Sequence, residues 1–271
     1  MSAPSGLRQR VPTAIVLAAL LLLDLFALPP IATLLLIAAV LIGGAWEWSA
    51  FVHASPRVRA LYVLVVALAV VACDPVRVDP DALQKLLWCA AIWWLVAFFW
   101  IVFAPARTSR VMAAVAGVLA LVPTGAALGY LRLVDDRGAW LVLFVLLVIM
   151  AADVGAYFFG HALGRVKLAP RVSPGKSWEG VLGGVVLSQA VAYVGATLLG
   201  LPTDVVAVLA LVAVAFSVVG DLTESLLKRH AGVKDSGRLL PGHGGVLDRL
   251  DSLSAGVPVF VLGLLRTGLI A

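Results

Sequence analysis

The side chains best equipped for chemistry are crowded into one stretch. Asp221, Glu224, Asp235, Asp248 and Asp251 stand there with Lys228, Arg229, Lys234, Arg238 and Arg249, and His230 and His243 lie among them. Asp221, Glu224, Ser225 and Lys228 are spaced i, i+3, i+4 and i+7, so a helix continuing past Asp221 puts all four on one face. Two carboxylates and a hydroxyl on one face make an oxygen-rich site of the kind a hard cation such as Mg²⁺ prefers. Asp248 and Asp251 repeat the i, i+3 acid spacing at the far end. Helix capping and salt bridges to Lys228 or Arg249 would account for either pair alone, and less well for both. Between the pairs runs Pro241-Gly242-His243-Gly244-Gly245. Its glycines let backbone N–H groups approach an anion closely, and a helix starting near Val246 would add its positive N-terminus. By itself such a segment is an ordinary turn; flanked by Arg238, Arg249 and four acids it has the profile of a metal–polyphosphate site.

A second polar segment supports this. Asp153 lies inside an apolar run, where an ionisable group is costly and points to function, unless it simply serves a neighbouring base or amide. Gly160-His161-Ala162-Leu163-Gly164-Arg165 follows, then Lys167, Arg171, Ser173-Pro174-Gly175-Lys176-Ser177 and Trp178-Glu179-Gly180. Bases, hydroxyls, glycines and an aromatic together suit a lipid phosphate or a nucleotide; the plainer alternative is a topology signal with interfacial anchoring. Asp24 and Glu47 also interrupt apolar runs. Asp24 is expected at an interface, and Glu47, within Trp46-Glu47-Trp48, as a snorkelling or buried-network residue. His53 and His230 read as surface residues.

These segments must be positioned by elements of an unusual kind. Of 271 residues, 62% are hydrophobic and 13% charged, with mean hydropathy +1.07. Soluble domains run near roughly 45–50% apolar and 25% charged, and a chain of this length could not hide the excess in a water-surrounded core. That excludes a soluble enzyme, a disordered tail and a nucleic-acid-binding domain, and makes the lipid bilayer the solvent. Cys73 and Cys89 lack disulfide-framework or metal-ligand spacing and are expected as small buried hydrophobes.

A hydrocarbon core of about 30 Å needs about 20 apolar residues per helix. Cutting at polar and proline-rich breaks predicts an all-α, polytopic membrane bundle with nine spans, at 12–28, 31–51, 60–73, 83–104, 111–131, 139–160, 178–199, 204–220 and 254–270. It is expected as a single membrane domain over 1–271, with N-terminal transmembrane helices in 1–150 and the catalytic region in 151–256. The first span is expected to be retained rather than cleaved. Placing the N-terminus and alternate loops on one side collects fifteen of the twenty Lys and Arg there. The positive-inside rule then puts the N-terminus and both polar loops, 161–177 and 221–253, in the cytoplasm.

At the polar segments the chain resembles the phosphatidate cytidylyltransferases, or CDP-diacylglycerol synthases. Their C-terminal signature is matched by Ser225, Lys228, Arg229, Lys234, Asp235, Gly237, Pro241, His243, Gly244, Gly245, Asp248, Arg249 and Asp251, thirteen fixed positions over 27 residues. Ala152-Asp153 through Tyr157, Gly164-Arg165, Lys167-Leu168-Ala169-Pro170 and 173–180 also look like the family, with Ser177 where Thr is commoner.

The resemblance implies transfer of CMP from CTP to phosphatidic acid, giving CDP-diacylglycerol and pyrophosphate for phospholipid biosynthesis in a bacterial cell membrane. It implies Mg²⁺, with K⁺ as a companion ion, on Asp221, Asp248, Glu224 and Asp251. Lys228, Arg229, Lys234, Asp235, His243 and Arg249 are the expected catalytic residues. Asp153, Arg165, Lys167, Ser173, Lys176, Ser177, Glu179, Ser225, Gly244 and Gly245 are the expected substrate-binding ones. The partners are CTP, phosphatidic acid and the bilayer, with a second copy of the chain as a candidate and no nucleic acid. The rivals are a CTP-dependent lipid kinase of the dolichol-kinase type, a cation-coupled transporter using Asp24, Glu47 and Asp153, and a silent membrane scaffold.

Overall fold

A computed structural model describes residues 5–52, 55–73, 79–105, 108–237, 239 and 244–270, with side chains from residue 12 onward. Its helices are α1 (Ser5–Ala27), α2 (Pro30–Phe51), α3 (Pro56–Ala72), α4 (Pro80–Phe103), α5 (Arg110–Leu133), α6 (Gly138–Leu163), α7 (Trp178–Leu199), α8 (Thr203–His230), the single turn α9 (Leu247–Leu250) and α10 (Leu253–Arg266). Between α6 and α7 lie two short antiparallel strands, β1 (Lys167–Ala169) and β2 (Ser173–Ser177). Local chemistry sets the helix starts. Pro30, Pro56 and Pro80 stand in the first turns of α2, α3 and α4, where a missing N–H costs nothing. Ser109 and Ser177 cap α5 and α7 by accepting from Met112 N and Gly180 N. Gly200, in the left-handed region at φ 66°, closes α7.

The all-α bundle agrees with the expected class. Six helices, α2, α4, α5, α6, α7 and α8, contain stretches long and apolar enough to cross a membrane, as a multi-pass protein requires. The remaining three expected spans are helical but shorter: an apolar Pro12–Ala27 in α1, the 17 residues of α3 and the 14 of α10. At 1.5 Å per residue the last two reach only about 26 and 21 Å. Large apolar side chains such as Leu35, Leu68, Phe103 and Leu198 face outward, as lipid solvation allows.

Several expectations need correction. α8 continues past Asp221 to His230, as the one-face reading of Asp221, Glu224, Ser225 and Lys228 supposes, so the expected 221–253 loop begins as helix and only its later part is irregular among the described residues. From Thr203 to Asp221 the helix rises about 27 Å, which puts the charged last turns at the edge of a hydrocarbon layer. The 161–177 loop contains the β1–β2 hairpin, which no periodicity in so short and polar a segment announced. Cys89 is exposed on α4 and Cys73 only half-buried. Asp24, expected at an interface, is buried against the protein. His53 lies outside the described residues.

The α6–α7 pair positions the site. Its seam is built from small residues: a Cβ on Gly155 would stand 2.5 Å from Gly183 O, one on Gly184 2.6 Å from Ala152 O, and one on Gly180 2.9 Å from Ala156 O. Without side chains between them the backbones meet directly, the packing mode open to helices in lipid. This seam brings Asp153 of α6 opposite β2 and the start of α7.

Candidate functional site

A cavity of about 790 Å³ opens between α6, β2, α7, α8 and the α9–α10 junction. Asp153 and Lys176 line it from one side, and Asp221, Asp248, Arg249 and Asp251 from the other. Asp221 of the first acid pair and both members of the second, separated by more than twenty residues of chain, therefore face one space. Lys167 and Ser177 line the same cavity, and Val181, Val214 and Val218 give it an apolar flank.

The charges are already interlocked. Lys176 Nζ pairs with Asp221 Oδ2 across β2 and α8. Lys228 Nζ lies 2.8 Å from Asp248 Oδ1 and 3.0 Å from Glu224 Oε1. Asp248 also accepts from Gly245 N at 2.8 Å and Ser236 N at 3.1 Å. Burial alone would raise this carboxyl; the Lys228 ammonium and the two amides outweigh it and hold Asp248 below the ordinary range. Asp251 goes the other way. Burial, and then the neighbouring charges of Asp221 and Asp153, push it up to about 8. Ser252 N donates to Asp251 Oδ1, and Ser252 Oγ donates to Asp153 Oδ1, both at 2.9 Å.

This donor set fits a hard divalent cation in its chemistry: carboxylate oxygens crowded on one cavity wall repel one another, and a cation would relieve the repulsion seen at Asp251. Among the described residues no three acidic, histidine or cysteine side chains converge on one point. Lys176 and Lys228 occupy the counter-ion positions.

Other expected residues sit in supporting places. Glu179 accepts from Arg165 N at 3.1 Å and Val166 N at 3.1 Å, which ties the hairpin's first residues to α7. Ser177 caps α7. Glu224 and Lys228 lie behind the cavity wall, not on it, and Ser225 is half-buried in α8. Ser173 is half-buried on β2, while Arg229, Lys234 and Asp235 are exposed beyond the cavity. His243 and Arg238 lie outside the described residues. The expectation of free amides for phosphate is not met at Gly245 and Leu247 in this conformation. Gly245 N is taken by Asp248, Leu247 N by Glu47, and α9 is one turn. Gly244, at φ 85°, serves the turn's geometry.

Three contributors carry no assigned role in the sequence reading, although Tyr157 and His161 fall within the segments it names. Tyr157 and His161, one turn apart on α6, stack with centroids 6.2 Å apart and line the cavity; Ser252 bridges Asp153 and Asp251 as described above. Aromatic residues at i, i+4 are too common on apolar helices to single out. Ser252, beside a signature acid, offered only adjacency as a signal.

The chain matches the sequence model described as "Cytidylyltransferase family" over residues 8–265. A protein named phosphatidate cytidylyltransferase from Haemophilus influenzae is 40% identical over 280 aligned residues, covering 94% of this chain and 97% of that one. Another of that name from Pseudomonas aeruginosa is 40% identical over 270 residues, covering 97% and 98%. One from Brucella suis is 47% identical over 137 residues, half of each chain.

Proposed function

The chain belongs to the cytidylyltransferase family, and from that premise we propose that it transfers CMP from CTP to phosphatidic acid. The observation that carries this reading is the meeting, in one cavity beside apolar α7 and α8 residues, of Lys167, Lys176 and Arg249 with Asp153, Asp221 and Asp248. A phosphate oxygen of the lipid attacks the α-phosphorus of CTP. A new P–O bond forms there, the bond to the β-phosphate breaks, and pyrophosphate leaves. A phosphate monoester has a second pKa of about 6, so the lipid is already an anionic nucleophile and needs no activating base. The difficulty is bringing two polyanions together, which calls for fixed positive charge.

Lys176 and Lys167 of the hairpin, with Arg249 of α9, are placed to take phosphate oxygens. Lys176 would exchange Asp221 for substrate as it does so. Asp221, Asp248 and Asp251 are the residues that would hold Mg²⁺, which when bound would supply charge neutralisation on the phosphates, and Glu224, behind the wall, would support them through Lys228. Lys228 and the amides of Ser236 and Gly245 orient Asp248, and Ser252 orients Asp153. The valines on the cavity flank suit the glycerol and acyl end of the lipid. The basic bias of alternate loops supports an opening on the cytoplasmic side of a bacterial cell membrane, where CTP is available.

The test is purified protein in detergent with labelled CTP, phosphatidic acid and Mg²⁺. Lipid-extractable label together with released pyrophosphate is expected. Release of CDP, the lipid kinase product, would overturn the reading. Asp221→Asn and Asp248→Asn should abolish transfer in protein that still purifies folded; full activity of either at saturating Mg²⁺ would remove it from the metal set.

A further inference from the structure

We propose that Glu47 of α2 is a positioning residue for this site, holding the loop that carries Ser236 and Gly245 so that their amides fix the carboxylate of Asp248. The role rests on the reading that Asp248 serves cytidylyl transfer. No residue of α2 lines the cavity, yet Glu47 is only 3% exposed and reaches the signature region from almost two hundred residues away in sequence. Its Oε2 accepts from Ser236 Oγ at 3.2 Å and from Leu247 N at 2.9 Å. The residues flanking those two contacts, Gly237 and Gly245, have no room for a side chain: a Cβ on either would collide with the Glu47 carboxylate. The loop is therefore wrapped around this one acid. Ser236 and Gly245 in turn donate their backbone N–H groups to Asp248.

The anchor itself is firmly seated. Trp48 Nε1 donates to Ala113 O of α5 at 2.7 Å. Arg59 Nε of α3 donates to Ser49 Oγ at 3.0 Å, and its guanidinium lies 4.8 Å from the centre of the Trp46 ring. Neighbours on both sides of Glu47 are thus fixed to other helices, whereas the loop has no regular structure of its own from Val233 to Gly237. A buried carboxylate in an apolar helix is costly unless hydrogen-bonded, so its position implies a task. Glu47 Oε1 finds no partner among the described residues. Residues that orient a ligating group typically matter about 10–100-fold to affinity or activity.

The test compares full-length wild type, Glu47→Ala, Glu47→Gln, Gly237→Ala and the Glu47→Ala/Gly237→Ala double variant in detergent, by hydrogen exchange without substrates and by cytidylyl transfer. Glu47→Ala should raise exchange at Ser236, Gly237 and Gly245 through Asp248 about tenfold or more while α4 and α10 stay unchanged, and should lower kcat about 10–100-fold with KM little altered. Glu47→Gln, which keeps an acceptor oxygen, should restore much of both. Gly237→Ala should mimic the loss, and the double variant should be no worse than Glu47→Ala alone, since the collision has been removed. Should Glu47→Ala not purify, Glu47→Gln and Gly237→Ala carry the comparison. Unchanged exchange, or loosened exchange with unchanged kcat, would overturn the positioning role. A loosened loop in a chain whose wild type makes no CDP-diacylglycerol would overturn the assigned reaction while leaving the Glu47 contact intact.

Discussion

Lys228→Met is the sharpest perturbation of the charge network. In the structure one ammonium serves two carboxylates, at 2.8 Å from Asp248 and 3.0 Å from Glu224, with side-chain exposures of 12%, 10% and 2%. Methionine keeps most of the volume and removes only the charge. Removing one partner from a buried ion pair typically costs about 3–5 kcal/mol. The upper end is capped because a stranded buried carboxyl can instead take a proton and become neutral. Asp248 retains its two backbone donors, so most of the loss falls on Glu224. A net loss of about 3 kcal/mol should lower the apparent Tm in detergent by roughly 6–12 °C, read by tryptophan fluorescence on heating. The deficit should shrink at pH 5, where Glu224 protonates more cheaply. Lys228→Met/Glu224→Gln, which neutralises the stranded group, should recover at least half. A Tm within about 2 °C of wild type, or a double variant less stable than Lys228→Met, would refute the view that this lysine neutralises buried charge.

Two further outcomes follow from the same geometry. Gly155→Val forces side-chain atoms into the space where Gly183 O stands 2.5 Å from a Cβ position; overpacking of this kind costs about 1–3 kcal/mol. It should lower Tm and transfer together, whereas Gly175→Ala, with nothing within 4 Å of its Cβ, should melt like wild type. The two acids flanking Arg249 should leave opposite marks on the pH dependence of stability without added metal. Asp248, held below its ordinary range, contributes stability that is present above about pH 4 and fades as pH falls further, so Asp248→Asn should flatten the acid limb. Asp251, pushed up to about 8, binds its proton more tightly when folded, so stability should decline as pH rises from about 4 through 8; Asp251→Asn should remove that slope. Melting curves across pH 3–9 check both, and identical slopes in wild type and variants would contradict the assigned environments.

Much of the bundle was legible because lipid leaves few choices. A segment of some twenty apolar residues in a bilayer has to be helical to satisfy its own backbone, and prolines such as Pro30, Pro56 and Pro80 mark the starts. The span expected at 204–220 stops short of the end of α8 for a related reason. Hydropathy marks where a helix leaves the lipid, not where it ends, and Asp221 through His230 stay helical while turning polar. The hairpin at 167–177 was illegible because five or fewer residues per strand carry too little periodicity. The buried site of Asp24 was missed because depth along a helix does not say which side faces protein.

The identities and spacing of Asp221, Glu224, Lys228, Asp248 and Asp251, and their resemblance to one enzyme family, were fixed along the chain. Local helical geometry is enough to put residues three and four apart on one side. The folded molecule alone decided that Lys228 stands between Glu224 and Asp248, that Lys176 meets Asp221, and that Glu47 grips the loop around Gly237 and Gly245. Those pairings join segments up to two hundred residues apart. They depend on how closely glycine-lined helices can approach and on which buried oxygen still lacks a donor, quantities that exist only once the helices are packed.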